Sequence, residues 1–270
     1  MKIRHLLQPG RGLALLAAAA ALSLQACGKK DVAAKKEEAA AVDYAAIAAA
    51  AVADAGRPEE DLADDERRRP AAALAYMELR PGLAVFEIEA GGGWYTELFS
   101  RAVGEKGSVV MQNPQGFVAF LGDKVAKRLE GDRLANVRPS VSNFDALDAP
   151  DLSVDLVTWV QGPHELYYTP ESGSLGDPAK SYAEIARILK PGGLFVAIDH
   201  SAEEGAPEKT GHDLHRVDKA IVKRMAEAAG LKFVSESGFL ANPEDPLTTP
   251  VFDPAIRGHT DQFALKFRKD

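Results

Sequence analysis

The chain has 270 residues, 46% of them hydrophobic, and a formal net charge of −8. That length suits one good-sized globular domain with extra sequence at one end, and the acidic balance argues against nucleic acid or bare anionic lipid as a general partner. The single cysteine, Cys27, allows no internal disulfide and no multi-thiolate metal site.

Lys2, Arg4 and Arg11 precede the short apolar run LALLAAAAALSL, the order of a secretory signal. The run ends in LQAC, which resembles a bacterial lipobox, with Leu24 three positions before Cys27 and Ala26 just before it. Residues 1–26 are therefore expected to be a signal peptide, with Cys27 the lipidated first residue of the mature chain. Gly28 is not an inner-membrane retention signal, so the expected location is the periplasmic face of a bacterial membrane, the outer one, with the lipid as the only membrane contact. Residues 27–57 are rich in Ala, Lys and Glu and read as a tether that ends at the Gly56–Pro58 turn. Residues 58–270 are the expected folded domain.

Glu59–Leu79 has a helical pattern interrupted at Pro70, with Leu74, Tyr76 and Met77 as its buried side. Leu83–Ile88 reads as a buried strand, EAGGGW as a glycine loop, and Trp94–Val103 as a helix. Ser108–Gln112 is a strand, Phe117–Leu129 a helix, and Val137–Val141 and Val154–Val160 are further strands. Tyr182–Leu189 is a helix stopped by KPGG, and Leu194–Ile198 is a fifth strand. Val217–Ala229 is an amphipathic helix with Asp218 able to cap its start and Gly230 its end. Leu231–Ser235 and Phe263–Phe267 close the series. Strands alternating with helices predict a doubly wound α/β domain around a parallel sheet.

In such a sheet, ligands bind beyond the carboxyl ends of the strands, and a glycine-rich turn lets the backbone come close to them. A glycine loop alone is a weak signal, and this one lacks the G-x-G-x-x-G of dinucleotide oxidoreductases. VFEIEAGGGWYTELFS, however, resembles the first motif of class I S-adenosylmethionine (SAM)-dependent methyltransferases, and EIARILKPGGLFVAID is similar to the helix, turn and fifth strand of that family. GGGWYTE, LKPGG, DH, LHR, VFDPAIRG and TDQFALKF together resemble a bacterial group of exported predicted methyltransferases, from about Arg67 to the C-terminus. The resemblance implies a Rossmann-like sheet, mostly parallel with an antiparallel last strand, helices on both faces, and SAM as cofactor. It further implies that Glu87 meets the methionine amino end, and that Gly91 and Gly93 leave room for the methionyl and ribose parts. Asn113 would stand where an acid usually holds the ribose hydroxyls. Asn143 or Asp145 would meet the adenine, and Gln161 would border the sulfonium and substrate. Two positions depart from the family pattern: Glu89 replaces the usual first glycine, where its carboxylate could favour a sulfonium, and Asn113 replaces the ribose acid. On that reading Asn113→Asp should preserve or tighten cofactor binding.

SAM is already activated, so an enzyme using it mainly aligns the partners, excludes water and removes a proton where needed. Imidazoles near the ligand-side strand ends are the natural bases. His200, next to Asp199 at the end of strand five, is the first candidate, and His164, in QGPHELYY after strand four, the second. His212-x-x-His215 has a two-ligand spacing that Asp199 and His200 could complete, but no zinc or iron signature is present and no metal is expected. The Pro-rich connection Asn242–Asp261 carries Asp253, Arg257, Thr260 and Asp261, residues for a lid or clamp or for an Asp–Arg pin. The expected partner is a small molecule or envelope component. The competing reading is a non-catalytic lipoprotein that binds another small ligand in the same crevice.

Overall fold

A strand buried on both faces needs apolar residues without alternation, and the run Leu83–Ile88 supplies them; in the computed structural model it forms β1, Ala84–Ile88. The structure describes residues 41–170 and 173–270. Cys27, the signal peptide and the first part of the expected tether, to residue 40, lie outside the described residues.

Among the described residues, four helices precede β1: α1 (Tyr44–Val52), α2 (Glu59–Leu62), α3 (Asp65–Arg68) and α4 (Pro70–Tyr76). After it follow α5 (Trp94–Val103), β2 (Ser108–Asn113), α6 (Val118–Leu121), α7 (Lys124–Arg128), β3 (Val137–Val141) and β4 (Val154–Val160). The chain continues with α8 (Pro178–Ile188), β5 (Leu189–His200), α9 (Thr210–Leu214), α10 (Lys219–Ala228), β6 (Leu231–Ser237) and β7 (Gln262–Lys269). The seven strands form one sheet in the order β3-β2-β1-β4-β5-β7-β6. β3, β2, β1, β4 and β5 run parallel, and β7 is antiparallel to both β5 and β6. The order reverses between β1 and β4, so the glycine loop after β1 opens at the switch point, where such sheets bind ligands. One core packs Phe86, Trp159, Tyr182, Phe195 and Phe267 on one face of the sheet. The other packs Leu74, Met77, Leu98, Phe99 and Ile198 on the opposite face.

Three expectations need correction. The tether was expected to run to residue 57, but α1 buries Ala48 and Ala51 in the second core, so the packed chain starts well before Pro58. Small alanine side chains let this helix lie close to its neighbours, although they gave little apolar variety to read. Phe117–Leu129 is not one helix: Gly122, at φ +57° and ψ −125°, separates α6 from α7. The Glu59–Leu79 pattern breaks into three short helices, with Arg69 turning at φ 45° directly before Pro70, which opens α4. Leu74 and Met77 are fully buried as expected, and Tyr76 is half-buried. Asp218 accepts from the Ala220 N–H at 2.9 Å, and Gly230 takes φ +87° after α10, the two caps expected there.

The N-terminal helices are tied to the sheet by charge. Glu97, on α5 and 0% exposed, accepts from Arg101 at 2.5 Å, from Arg133 at 2.5 Å and from Arg128 at 3.2 Å. Arg128 also grips Asp61 with two bonds, at 2.6 and 2.9 Å, and Arg133 donates to the Gly56 carbonyl at 2.7 Å. Burial alone would raise the Glu97 pKa, but the arginines outweigh it and hold the carboxyl below its usual range. Glu97→Gln leaves three guanidinium groups facing one another without their shared anion. We expect denaturant unfolding to show a loss of about 3–5 kcal/mol, the cost of breaking a buried pair; a loss under 1 kcal/mol would mean the arginines are satisfied elsewhere.

Candidate functional site

The carboxyl end of β1 feeds a loop whose backbone is pinned by the end of β2. The Gln112 side chain accepts from the Glu89 N–H at 2.9 Å, and the Gln112 carbonyl from the Ala90 N–H at 2.8 Å. The Asn113 amide accepts from the Gly91 N–H at 2.8 Å and donates to the Gly91 carbonyl at 3.1 Å. Asn113 is only 3% exposed. It is therefore not free to hold ribose, the role the resemblance implied; both ends of its amide fix the loop instead.

The glycines divide by cause. Gly91 has φ +60°, and a Cβ there would meet no protein atom, so its backbone angle, rather than crowding, selects glycine. Gly93 has φ +84° and is also crowded: a Cβ would lie 2.8 Å from Met111 Cε and 3.0 Å from Arg128 Cγ. Gly93 thus makes room for protein side chains, a correction to its expected part in seating ribose. From there α5 begins, and its first N–H groups, from Trp94 onward, have no acceptor inside the helix.

Above the loop lies a cleft of about 610 Å³. Glu87, Glu89, Gly91 and Gln161 line it, four of the eight cofactor positions expected from sequence. Asn143 and Asp145 do not; Asp145 instead accepts from the Asp177 N–H at 3.0 Å, at the start of α8. The opposite wall comes from the N-terminal helices and α7, through Pro58, Glu60, Arg68, Lys124 and Arg128, with Arg133 beside them. None of these was singled out in the sequence, although the triplet Arg67–Arg69 before Pro70 and the basic run Lys124–Arg128 were visible signals. Arg68 lies over the Trp94 ring at 4.7 Å, and its Nε is buried without a hydrogen-bond partner. Burial lowers the pKa of this guanidinium from its ordinary value.

Glu87 is strongly perturbed in the cleft. Burial raises its pKa to about 8, against the Thr96 hydroxyl bond at 2.5 Å and the positive field of Arg128 and Arg68. Glu89 stands in left-handed backbone at φ 56° and accepts from Trp159 Nε1 at 3.0 Å. Burial and the nearby Glu165 carboxylate push its pKa well up. Gly162 permits this contact, since a Cβ there would fall 2.4 Å from Glu89 Oε2. Gln161, at φ 58°, donates its N–H to the Ile198 carbonyl at 2.6 Å.

Among the described residues, no histidine lines the cleft. His164 and His200 lie behind it, around Asp199, which is 0% exposed. Asp199 accepts from the His164 N–H at 2.7 Å and the His200 N–H at 2.8 Å, and its Oδ1 lies 2.8 Å from His164 Nδ1. Burial opposes charge on His164, but Asp199 and Glu165 prevail and hold its pKa at about 10. His200 Nδ1 lies 2.7 Å from the Thr260 hydroxyl; burial and the neighbouring His164 and Arg216 push its pKa well down. His212 is apart from these, stacked on Tyr168 at 5.7 Å. The Asn242–Asp261 connection is pinned by a buried Arg216–Asp245 pair at 2.9 and 3.0 Å, rather than by Asp253 and Arg257.

Residues 86–197 match the family model whose description is "Methyltransferase domain". The chain is 27% identical over 187 residues to the ubiquinone/menaquinone biosynthesis C-methyltransferase UbiE of Shewanella piezotolerans, covering 69% of this chain and 64% of that protein. It is 28% identical over 196 residues to the UbiE of a Marinomonas species, covering 71% and 66%. It thus spans just under two thirds of the length of these relatives. A SAM-dependent methyltransferase from Aquifex aeolicus superposes with a TM-score of 0.53 at 19% identity, over 76% of this chain and 97% of that one. An arsenic(III) S-adenosylmethionine methyltransferase from Chlamydomonas reinhardtii gives 0.52 at 19% identity, over 82% and 72%. The structural likeness establishes the fold. The family match is to a methyltransferase domain over residues 86–197, and these relatives are methyltransferases.

Asn113→Asp removes the donor to the Gly91 carbonyl and sets a carboxylate oxygen against it. Contrary to the gain expected from the family pattern, we expect SAM affinity to fall by about tenfold, the value of one charged or buried hydrogen bond. Calorimetry on the folded variant checks this; equal or tighter binding would mean that Asn113 does face the ribose.

Proposed function

We propose that this chain, whose domain has the fold and family match of the class I superfamily, is a SAM-dependent methyltransferase acting on a small molecule or envelope component. The observation that carries the reading is the pairing of Glu87 and Arg68 in one cleft with the glycine loop. The methionyl end of SAM is an α-amino acid. Its ammonium calls for a carboxylate, and Glu87 is the buried one at the end of β1. Its carboxylate calls for a fork of N–H donors, and Arg68 offers a guanidinium whose Nε makes no hydrogen bond, its one anion being Asp64 at 3.5 Å. The first-turn amides of α5 add donors at the same wall.

The mature protein would be held at the periplasmic face by a lipid on Cys27, with the outer membrane the expected one; mass spectrometry of the mature N-terminus should find that residue acylated. An unmodified N-terminus at another position would remove the anchor from this account. The name carried by the sequence relatives makes a precursor of ubiquinone or menaquinone the first acceptor to assay. A proton acceptor, where the acceptor needs one, would be His200 only if substrate reaches behind the cleft, since the cleft wall itself offers carboxyls; His164, with its pKa at about 10, already holds its proton at neutral pH.

Titration calorimetry of the full-length protein with SAM and S-adenosylhomocysteine tests the reading. Saturable binding of both is expected, and Arg68→Ala and Glu87→Gln should each weaken it by about 10- to 100-fold, as for loss of a charge-assisted bond. The free Glu87 carboxyl, raised to about 8, holds its proton at neutral pH, whereas the ammonium binds its ionised form. Affinity should therefore rise by close to tenfold for each pH unit approaching 8 from below and level off above it. Silence with both nucleosides, on folded protein, would favour the competing reading of a lipoprotein that binds another small ligand.

A further inference from the structure

Behind the cleft, three side chains from two separate segments turn toward one point. His164 and Glu165 come from the turn Pro163–Tyr167 after β4, and His215 follows α9. Their ligand atoms all lie within 4.8 Å of one another. His164 Nε2 is 3.3 Å from Glu165 Oε1, and His215 Nδ1 is 3.4 Å from the same oxygen. Donors bound to one tetrahedral cation at about 2.0–2.1 Å stand about 3.3 Å apart, so two edges of the set already have the spacing of a metal site.

Hydrogen bonding does not account for this cluster. Glu165 is 8% exposed, yet its Oε2 is buried without a partner, and His215 Nδ1 is buried and unpartnered too. Buried polar atoms are normally satisfied, and an orphan atom on each of two residues of one cluster calls for something that accepts lone pairs. His164 is prepared on its far side. Asp199 Oδ1 lies 2.8 Å from His164 Nδ1, which fixes the ring and leaves Nε2 to face Glu165. Asp199 is itself held by two backbone N–H groups. Tyr168 and Phe252 pack against His215, each at 4.9 Å, and screen that side from water.

We propose that His164, Glu165 and His215 form a binding site for a divalent transition-metal cation. Two imidazoles exclude Mg²⁺ and Ca²⁺ as the natural occupants and suit Zn²⁺ and its neighbours. The cation would replace the proton shared between His164 and the carboxylates, and three protein ligands leave a fourth position for water or for an oxygen of a bound molecule. The loop that carries His164 also touches the cleft, since Gly162 packs against Glu89. The site stands independently of the SAM reading, because its test needs no nucleoside.

The full-length protein, purified without an affinity tag and stripped with a chelator, is titrated with Zn²⁺. One equivalent should bind with a dissociation constant in the micromolar range or tighter. His215→Ala and Glu165→Gln should each weaken it by about 100-fold or more, and Asp199→Asn, one step removed, by about 10- to 100-fold. His212→Ala, outside the set, should leave it unchanged. Co²⁺ in the wild-type site should show the visible bands of a four-coordinate ion, and these should vanish in the ligand variants. Circular dichroism checks folding; should His215→Ala misfold, Glu165→Gln, which keeps the side-chain shape, decides. Absence of one-equivalent binding in the wild type, or binding that survives Glu165→Gln, overturns the proposal.

Discussion

The glycine loop is held in place by two neighbouring amides at the end of β2. Gln112 and Asn113 between them bind the backbone of Glu89, Ala90 and Gly91. A loop with two positive-φ glycines would otherwise carry a large conformational freedom. Four hydrogen-bonding groups supplied by adjacent residues remove it before any ligand arrives. Everything on the cleft floor depends on this: the direction of Glu87, the left-handed turn that points Glu89 at Trp159, and the start of α5.

The walls follow from charge as well as from apolar packing. A single buried carboxylate, Glu97, gathers three arginines, and one of those arginines reaches back to Asp61 on the N-terminal segment. That network draws Pro58, Glu60 and Arg68 over the glycine loop and converts an open sheet end into a cleft. A second buried carboxylate, Asp199, does the same work behind it by joining the ends of β4 and β5 through His164 and His200. Both are anions at the ligand end of the sheet whose hydrogen bonds come from separate chain segments. Their burial is tolerable only because each is fully partnered.

Much of this was legible in the sequence, because strand periodicity and breaker residues are local. The seven strands, the caps of α10 and the glycine loop all follow from short stretches read in order. Glu87, Glu89, Gly91 and Gln161 could be placed at the cleft because they lie at or just beyond the ends of β1 and β4, where the family resemblance sets its cofactor residues. What could not be read was long-range. Asn113 has the right position for ribose, but its amide turns to Gly91, a choice fixed by the geometry between two strands. Arg68 reaches the site only because Arg69 reverses the chain ahead of Pro70. His164, Glu165 and His215 are fifty residues apart at their widest and converge through α9, which no spacing within one segment encodes. The alanine-rich stretch before Gly56 misled for a different reason: composition suggested a tether, while two small side chains were enough to dock α1.

The central claim is that the cleft recognises an amino-acid cation with a carboxyl that is neutral until the ligand arrives. Calorimetry of SAM binding at pH 7 in buffers of different ionisation enthalpy measures the protons exchanged. With the free Glu87 carboxyl at about 8, wild-type binding should release close to one proton, and Glu87→Gln should abolish that release. Binding with no proton release, or with the same release in Glu87→Gln, would contradict the account.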